Sequence, residues 1–486
     1  MSETTELEDL SARRIDRRAL VITTLIFSTL SVWMAIASKD FLEADAVTHY
    51  LARRFALEQP LHIVGVWSRP LCVLLYCIPS YFGGLIGTRF TSLALVLLTM
   101  LVTLRVARNM NIPRPALAAG FLLTSPLLFA HSFSELTEVP FALLLISAFW
   151  AYESKRFWLL ALLTSMAPLG RPEGFGIIAI VAIALILHRR FIWLLILPLG
   201  LIAWSIAGWH VFGGPPYPWW EWLAMNWPYS ADSMYGSGSA FKLIGVLPAV
   251  VGPIAFGLIW FGVWRVARDA FPSPIKRFFT HHETRNKLLL AIIPLGLLVA
   301  HSALWTFGKM ASNGEPRYLL IVAPFWALLA LVGVNALMRR TRFARPWLLV
   351  CLAGAIPVVA NVVYPSFPIR QQADDRLAVA VVAWLEDHPQ LRVAYPKYAV
   401  ALPHVFIHLD VDRLSGKQIV DSSRDVVANP PPGVILIYDS IYSGSNSNQQ
   451  YTITQQMLDT YGWREIDRIS VKNKTAIIYL SPQPMP

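Results

Sequence analysis

Of the chain's 486 residues, 55% are hydrophobic and only 15% charged, well below the roughly 25% charged residues of soluble domains. An ordinary soluble protein is thereby excluded. The formal net charge of +11 would suit a nucleic-acid binder, but its distribution argues against nucleic acid as a partner. The basic residues gather in short connections: Arg13 to Arg18, Arg105 to Arg114, Lys155 and Arg156, Arg189 and Arg190, Arg265 to Lys287, and Arg339, Arg340, Arg342 and Arg345. This is the positive-inside pattern of a polytopic membrane protein, and it assigns those connections to the cytoplasm.

In chain order, residues 1–18 form a cytoplasmic N-terminus without a small-residue cleavage site, so the first apolar run, Ala19 to Ser38, is expected to be a retained anchor. About eleven transmembrane helices follow from the apolar runs of spanning length between residues 19 and 364. Span 1 leaves the cytoplasm. A long outer segment, 39–84, with Pro60, Pro70, Pro79, Trp67, Tyr76 and Tyr81, suits helices lying in the membrane interface. Span 2 (Leu85 to Val106) returns, and spans 3 and 4 flank an outer loop at 131–139. Spans 5 and 6 flank Arg171-Pro-Glu173-Gly. Span 8 (Leu243 to Trp264) returns to a broad basic cytoplasmic loop. Further outer loops are 212–242 and 307–318, and span 11 (Trp347 to Tyr364) places the tail outside. Every connection that mixes acids, arginines and aromatics falls on the outer face.

From Pro365 the long apolar runs stop, which marks a domain boundary. Residues 365–486 are expected to form a small extracytoplasmic α/β domain. Asp374 to Glu386 has helical periodicity, with Leu377, Val381, Val382 and Leu385 on one face. Leu391 to Tyr395 is expected as a short strand, and Gly433 to Tyr438 as a strand covered on both faces. A helix near Thr454 to Tyr461 and two closing strands, Ile466 to Val471 and Thr475 to Leu480, complete it.

The residues able to carry chemistry stand at the outer ends of spans. The first group is Asp40, Glu43, Asp45 and His49. A hydroxyl that attacks a sugar carbon needs a carboxylate within hydrogen-bond reach to take its proton. In a helix beginning after Phe41, Asp45 and His49 share a face at i, i+4; the competing explanation is interfacial surface charge. The second group is Glu135 and Glu138, whose alternative role is to complement a helix N-terminus. The third is basic: Arg171, Arg317 and Lys309, with Arg69 beside Pro70. Arginine holds phosphate by paired hydrogen bonds, and snorkelling to the interface is the alternative. The aromatic residues Tyr217, Trp219, Trp220, Trp222, Trp227 and Tyr229 suit an interfacial belt. His131 and His301 are expected to make local hydrogen bonds. Cys72, Cys77 and Cys351 imply no disulfide framework, and the absence of CxxC, HExxH or comparable spacing disfavours zinc.

These segments resemble the GT-C superfamily of polytopic glycosyltransferases that use lipid-linked sugars. Glu43-Ala-Asp45-Ala-Val-Thr-His-Tyr-Leu-Ala-Arg resembles that superfamily's acidic motif in the first outer loop, and Ser134-Glu135-Leu-Thr-Glu138 its second outer acidic loop. Arg171-Pro-Glu-Gly and Gly314-Glu315-Pro-Arg317-Tyr318-Leu-Leu, with Pro324 in the span that follows, resemble segments of its mannosyltransferase-like members. Val434-Ile-Leu-Ile-Tyr-Asp439-Ser440 is similar to the outer domains that some members carry.

The resemblance implies an inverting transfer on the extracytoplasmic face, in the inner (plasma) membrane of a bacterium. A polyprenyl-phosphate sugar is the donor, and a glycan, lipid or protein the acceptor. Asp45 would act as base, with Glu43 and Asp40 as the other catalytic acids. Glu135, Glu138 and His49 would orient the base or acceptor. Arg317, Arg171, Lys309 and Arg69 would bind the donor phosphate. The usual adjacent acids are here Glu43-x-Asp45, which leaves open which acid is the base and whether a divalent metal, Mg or Mn, is used. A transporter or flippase is the alternative, as is a ligase or polymerase of envelope lipids or glycans. Transporters place ionisable residues near the bilayer midplane, whereas these lie at span ends.

Overall fold

The computed structural model describes residues 3–229, 231–233, 235–271, 273–341, 345–360, 368–439, 442–443 and 452–485. Arg342, Tyr364 at the end of the eleventh span, and Ser440 lie outside the described residues. The chain forms two compact units. One comprises Met1–Ala37 and Pro60–Phe367, and the other Ser38–Gln59 and Pro368–Pro486. Residues 38–59, which hold the first acidic segment, thus group with the tail.

The first unit is built of helices. Among the described residues, five are long and apolar enough to cross a membrane: Arg14–Ala37, Pro70–Asn109, Phe191–Val211, His282–Thr306 and Pro316–Thr341. Helices of this length and apolarity make the protein an integral membrane protein. Shorter apolar helices include Phe157–Ser165 and Gly174–Leu187. The helix Pro70–Asn109 breaks at Gly84, where φ is 54° and ψ −142°. The break falls where the outer segment was expected to give way to span 2. The region of span 8 is two helices. Lys242–Val251 and Pro253–Ala270 meet at a 114° bend around Gly252, whose φ of 88° suits glycine, with Pro253 starting the next helix.

Small residues let two helices approach closely. A Cβ on Gly262 would lie 2.1 Å from Leu329 O, and one on Gly333 would lie 2.0 Å from Leu258 O. Helices 253–270 and 323–341 therefore touch backbone to backbone, the small-residue mode of membrane helix packing.

The second unit is an α/β domain with a five-stranded sheet. Its strands are β1 (Lys397–Val400), β2 (Ile419–Val420), β3 (Val434–Asp439), β4 (Arg464–Val471) and β5 (Lys474–Leu480). The order is β2-β1-β3-β5-β4. β1 is parallel to β2 and β3, and β5 is antiparallel to β3 and β4. The apolar run Val434–Asp439 is buried along its whole length, as a strand covered on both faces requires. Helices Ala373–Asp387 and Gln455–Thr460 match the periodicity. Leu391 to Tyr395 is not a strand: Pro389–Ala394 is helical, with Pro389 at its first turn, a position where proline's fixed φ favours helix. The strand begins two residues later, at Lys397.

Candidate active site

In the membrane unit, three sequence segments converge on one buried cluster. Glu138 begins the helix Glu138–Glu153, Arg171 and Glu173 occupy the turn between helices 167–170 and 174–187, and Arg317 and Tyr318 open a 3-10 turn at Pro316–Val322. The Arg171 guanidinium donates from Nη1 to Glu138 at 2.6 Å and to Thr137 Oγ1 at 2.8 Å. From Nε and Nη2 it donates to Glu173 at 3.0–3.2 Å. Two carboxylates and the Thr137 hydroxyl on one fork leave a single guanidinium N–H over.

His301 Nε2 stands 3.3 Å from Glu173 Oε1, and its ring stacks on Tyr318 with centroids 4.9 Å apart. Arg171 and Arg317 lie 5.7 and 6.0 Å from the Tyr318 ring centre, so two cations share one aromatic face region. Tyr318 donates its hydroxyl to Asn313 Oδ1 at 2.5 Å, and Asn313 Nδ2 donates to Glu315 at 2.9 Å. Arg317 Nε is 3.9 Å from Glu138 Oε1. The two arginines and two glutamates sum to no net charge, the condition under which ions survive burial.

Burial opposes ionisation of Glu173, but Arg171 and the nearby His301 outweigh it and hold the carboxyl well below the usual range. His131 is fully buried beside these groups and bonds locally, Nδ1 to Leu127 O at 2.9 Å. Burial, reinforced by Arg317 and Arg171 and opposed by Glu138, lowers its pKa to about 4, so the imidazole is neutral.

Glu135 goes elsewhere. Its Oε1 accepts from Arg89 Nε at 2.9 Å, both side chains being buried, and Arg89 also donates to Ala35 O at 3.0 Å. Arg69 precedes Pro70 with φ 65°. It donates to the Tyr229 hydroxyl at 2.5 Å and lies over the Trp227 and Tyr229 rings. Trp222 is core, packed edge-on against Trp204 and Phe212, so the loop at 212–242 is only partly an exposed aromatic belt. Lys309 pairs with Asp232, both largely exposed.

The second unit holds the first acidic group. Residues Ala44–Arg54 are helical, with Glu43 at the N-cap and Asp45 in the first turn. His49 therefore lies one turn from Asp45, as the spacing predicts. Asp45 is half-buried. A cleft of about 480 Å³ opens beside this helix, lined by Thr48, Leu51, the ends of β1 and β2, Arg413 and Tyr442. It lies at the carboxyl ends of parallel strands, where ligand crevices form in open α/β sheets.

Asp40 lies in the same unit. It is buried, and its oxygens accept the backbone N–H groups of Phe41 at 2.7 Å and Gln372 at 2.6 Å, with His404 Nε2 at 3.5 Å. Its observed contacts tie its loop to the tail.

Sequence reasoning gave no role to Arg89, quoted Glu173 and Tyr318 only as neighbours of Arg171 and Arg317, and expected of His301 no more than local hydrogen bonds. Arg89 carried a signal, a lone ionisable residue in an apolar span. His301 carried less, being one histidine in an apolar helix.

The fold defined by this helical unit and its α/β tail has solved counterparts. The chain superposes on ArnT from Cupriavidus metallidurans in the apo state with a TM-score of 0.57 and 14% identity, over 95% of this chain and 99% of that one. For ArnT of the same organism bound to undecaprenyl phosphate, the TM-score is 0.54 and identity 16%, over 96% and 98% of the chains. The protein thus has the ArnT fold, in agreement with the GT-C resemblance of its sequence. No protein-family model and no curated protein matches the chain.

Proposed function

We propose that the protein is a membrane glycosyltransferase that moves a sugar from a polyprenyl-phosphate donor to an acceptor on the extracytoplasmic face. The carrying observation is the buried Glu138–Arg171–Glu173–His301–Tyr318–Arg317 cluster, set in a fold shared with a protein solved bound to undecaprenyl phosphate. A departing polyprenyl phosphate gains negative charge, which fixed cations stabilise without reorganising. Arg171 is already shared by two carboxylates and is best suited to positioning. Arg317, the only other arginine of the cluster, is the residue for the phosphate, with Arg69 and Lys309 as further cations.

Asp45 takes the proton of the acceptor hydroxyl. The acceptor oxygen forms a bond to the anomeric carbon as the carbon–oxygen bond to phosphate breaks, and the bonding pair leaves on the phosphate. Attack opposite the leaving group inverts the anomeric centre. Glu43, next to Asp45 in the same acidic segment, and the cleft beside Thr48 serve acceptor binding; a glycan, lipid or protein bearing a free hydroxyl meets the chemical requirement.

The test is transfer of radiolabelled sugar from polyprenyl-phosphate donors to membrane extract by purified wild type and Asp45→Asn. Loss of a positioned base removes about 10²- to 10⁴-fold of rate. Full activity in the variant moves the base to Glu43, and no turnover of any donor by folded wild type overturns the glycosyltransferase in favour of the transporter.

A further inference from the structure

A second cluster of ionisable groups lies wholly within the tail unit. Asp40, Asp375 and His404 are all buried, and one ligand atom from each lies within 4.8 Å of the others. A fourth group joins them: His408 Nε2 is 2.7 Å from Asp375 Oδ1. His404 and His408 stand on the short helix Pro403–Leu409 at i, i+4, so both imidazoles leave the same face. The sequence His404-Val-Phe-Ile-His408 is therefore a metal-compatible spacing, which corrects the expectation that none exists.

The cluster is poorly satisfied by hydrogen bonds at one member. His404 is 5% exposed, its Nδ1 has no hydrogen-bond partner among the described residues, and its Nε2 approaches Asp40 Oδ1 only to 3.5 Å. That is beyond the usual range for a hydrogen bond. Nε2, the nitrogen that faces Asp40, can present its lone pair to a cation between the two.

The surroundings are those of a prepared ligand set. Each carboxylate has an oxygen held by a neighbour: Asp40 Oδ2 accepts from Gln372 N at 2.6 Å, and Asp375 Oδ2 from Gln371 Nε2 at 2.6 Å. Such outer partners fix the direction in which the other oxygen points.

We infer that Asp40, Asp375, His404 and His408 form a zinc site. Two imidazoles and two carboxylates make a tetrahedral N2O2 set, and ligand atoms on tetrahedral zinc stand about 3.3 Å apart. The 3.5 Å separation of Asp40 and His404 already meets this, while the 2.7 Å contact of His408 and Asp375 opens slightly. Mg and Mn prefer all-oxygen sets, so two histidines select zinc over either. Three of the ligands are buried protein groups and no open position is implied, so the ion is structural: it joins the segment after the first helix to the tail. It is separate from the transfer chemistry and stands whether or not that reading holds.

The test uses full-length protein purified in detergent without metal-affinity resin. Elemental analysis after dialysis is expected to find one zinc per chain, EDTA to lower the melting temperature, and zinc chloride to restore it. His404→Ala is expected to abolish zinc uptake. Gln371→Ala, which removes only a partner of Asp375, is expected to weaken zinc affinity about 10- to 100-fold and needs no change to a ligand. Wild type that holds no zinc and melts identically with EDTA or zinc chloride overturns the site. So does zinc whose binding is indifferent to both substitutions.

Discussion

The two units solve opposite burial problems. The membrane unit is apolar outside and keeps its ions within: Arg89 with Glu135, and Arg171 with Glu138 and Glu173, are almost wholly buried. The tail unit has the inverse order. Its central strand β3 is buried throughout, while β4 turns a mostly exposed face to solvent and carries Arg464, Glu465, Asp467 and Arg468. Water solvates the charges on the tail's surface at little cost, so they need no partners of high precision; the buried Asp40 and Asp375 are the exception. Ions inside the membrane unit have no water to fall back on, so each must be matched in charge and hydrogen bonds. The buried network is hence more specific in geometry and more costly to break.

That contrast can be broken most directly at Arg171. Arg171→Ala leaves Glu138 and Glu173 buried without their main cation, and thermal unfolding in detergent is expected to show a loss of about 3 to 5 kcal/mol. Arg171→Lys retains the charge without the fork and should lose less. An alanine variant as stable as wild type would show that the ions are solvated and that the contrast is wrong.

In the tail the matching experiment is apolar. Ile437, fully buried in β3, is expected to cost about 2 to 5 kcal/mol as Ile437→Ala. The loss should appear as protease sensitivity confined to residues 368–486, with the helical unit still resistant. Simultaneous loss of both units would mean that they unfold as one.

A smaller effect separates the units by pH. His131 has a folded pKa of about 4 against about 6.5 for an unperturbed histidine. The unfolded chain therefore binds more protons between these values. Its contribution is complete above about pH 6.5 and is lost as pH falls towards 4, by at most about 3 kcal/mol. Glu138, Arg171 and Arg317 are the charged groups that face it. Melting curves of wild type and His131→Asn should converge in slope above pH 6.5 and differ below it.

The smallest expected effect is at the surface. Lys309 and Asp232 are 53% and 80% exposed, so Lys309→Ala should change stability by less than about 1 kcal/mol. A larger change would place that pair in the buried class.

Much of the candidate site was legible because membrane sequences restrict where charge can stand. Glu138, Arg171 and Arg317 were each marked by lying at the end of an apolar run, and the structure brings these three together. Glu135 was marked by the same reasoning, yet it pairs with Arg89. Sequence spacing does not tell which of two acids three residues apart faces which arginine. His301 and Glu173 meet only because helices 174–187 and 282–306, distant in sequence, converge there. Asp40 was legible as an acid but not as a partner of Gln372 and His404, more than 300 residues away.

By itself the sequence determined the membrane class, the α/β tail, the helix carrying Asp45 and His49, and the strands Val434–Asp439 and Lys474–Leu480. These follow from local periodicity, chain composition and the cost of placing charge in hydrocarbon. Only the tertiary structure decided the bend at Gly252, the placement of the Ser38–Gln59 segment with the tail, and the partners of the buried ions. Those depend on which surfaces exclude water together, a property of long-range packing that no local pattern encodes.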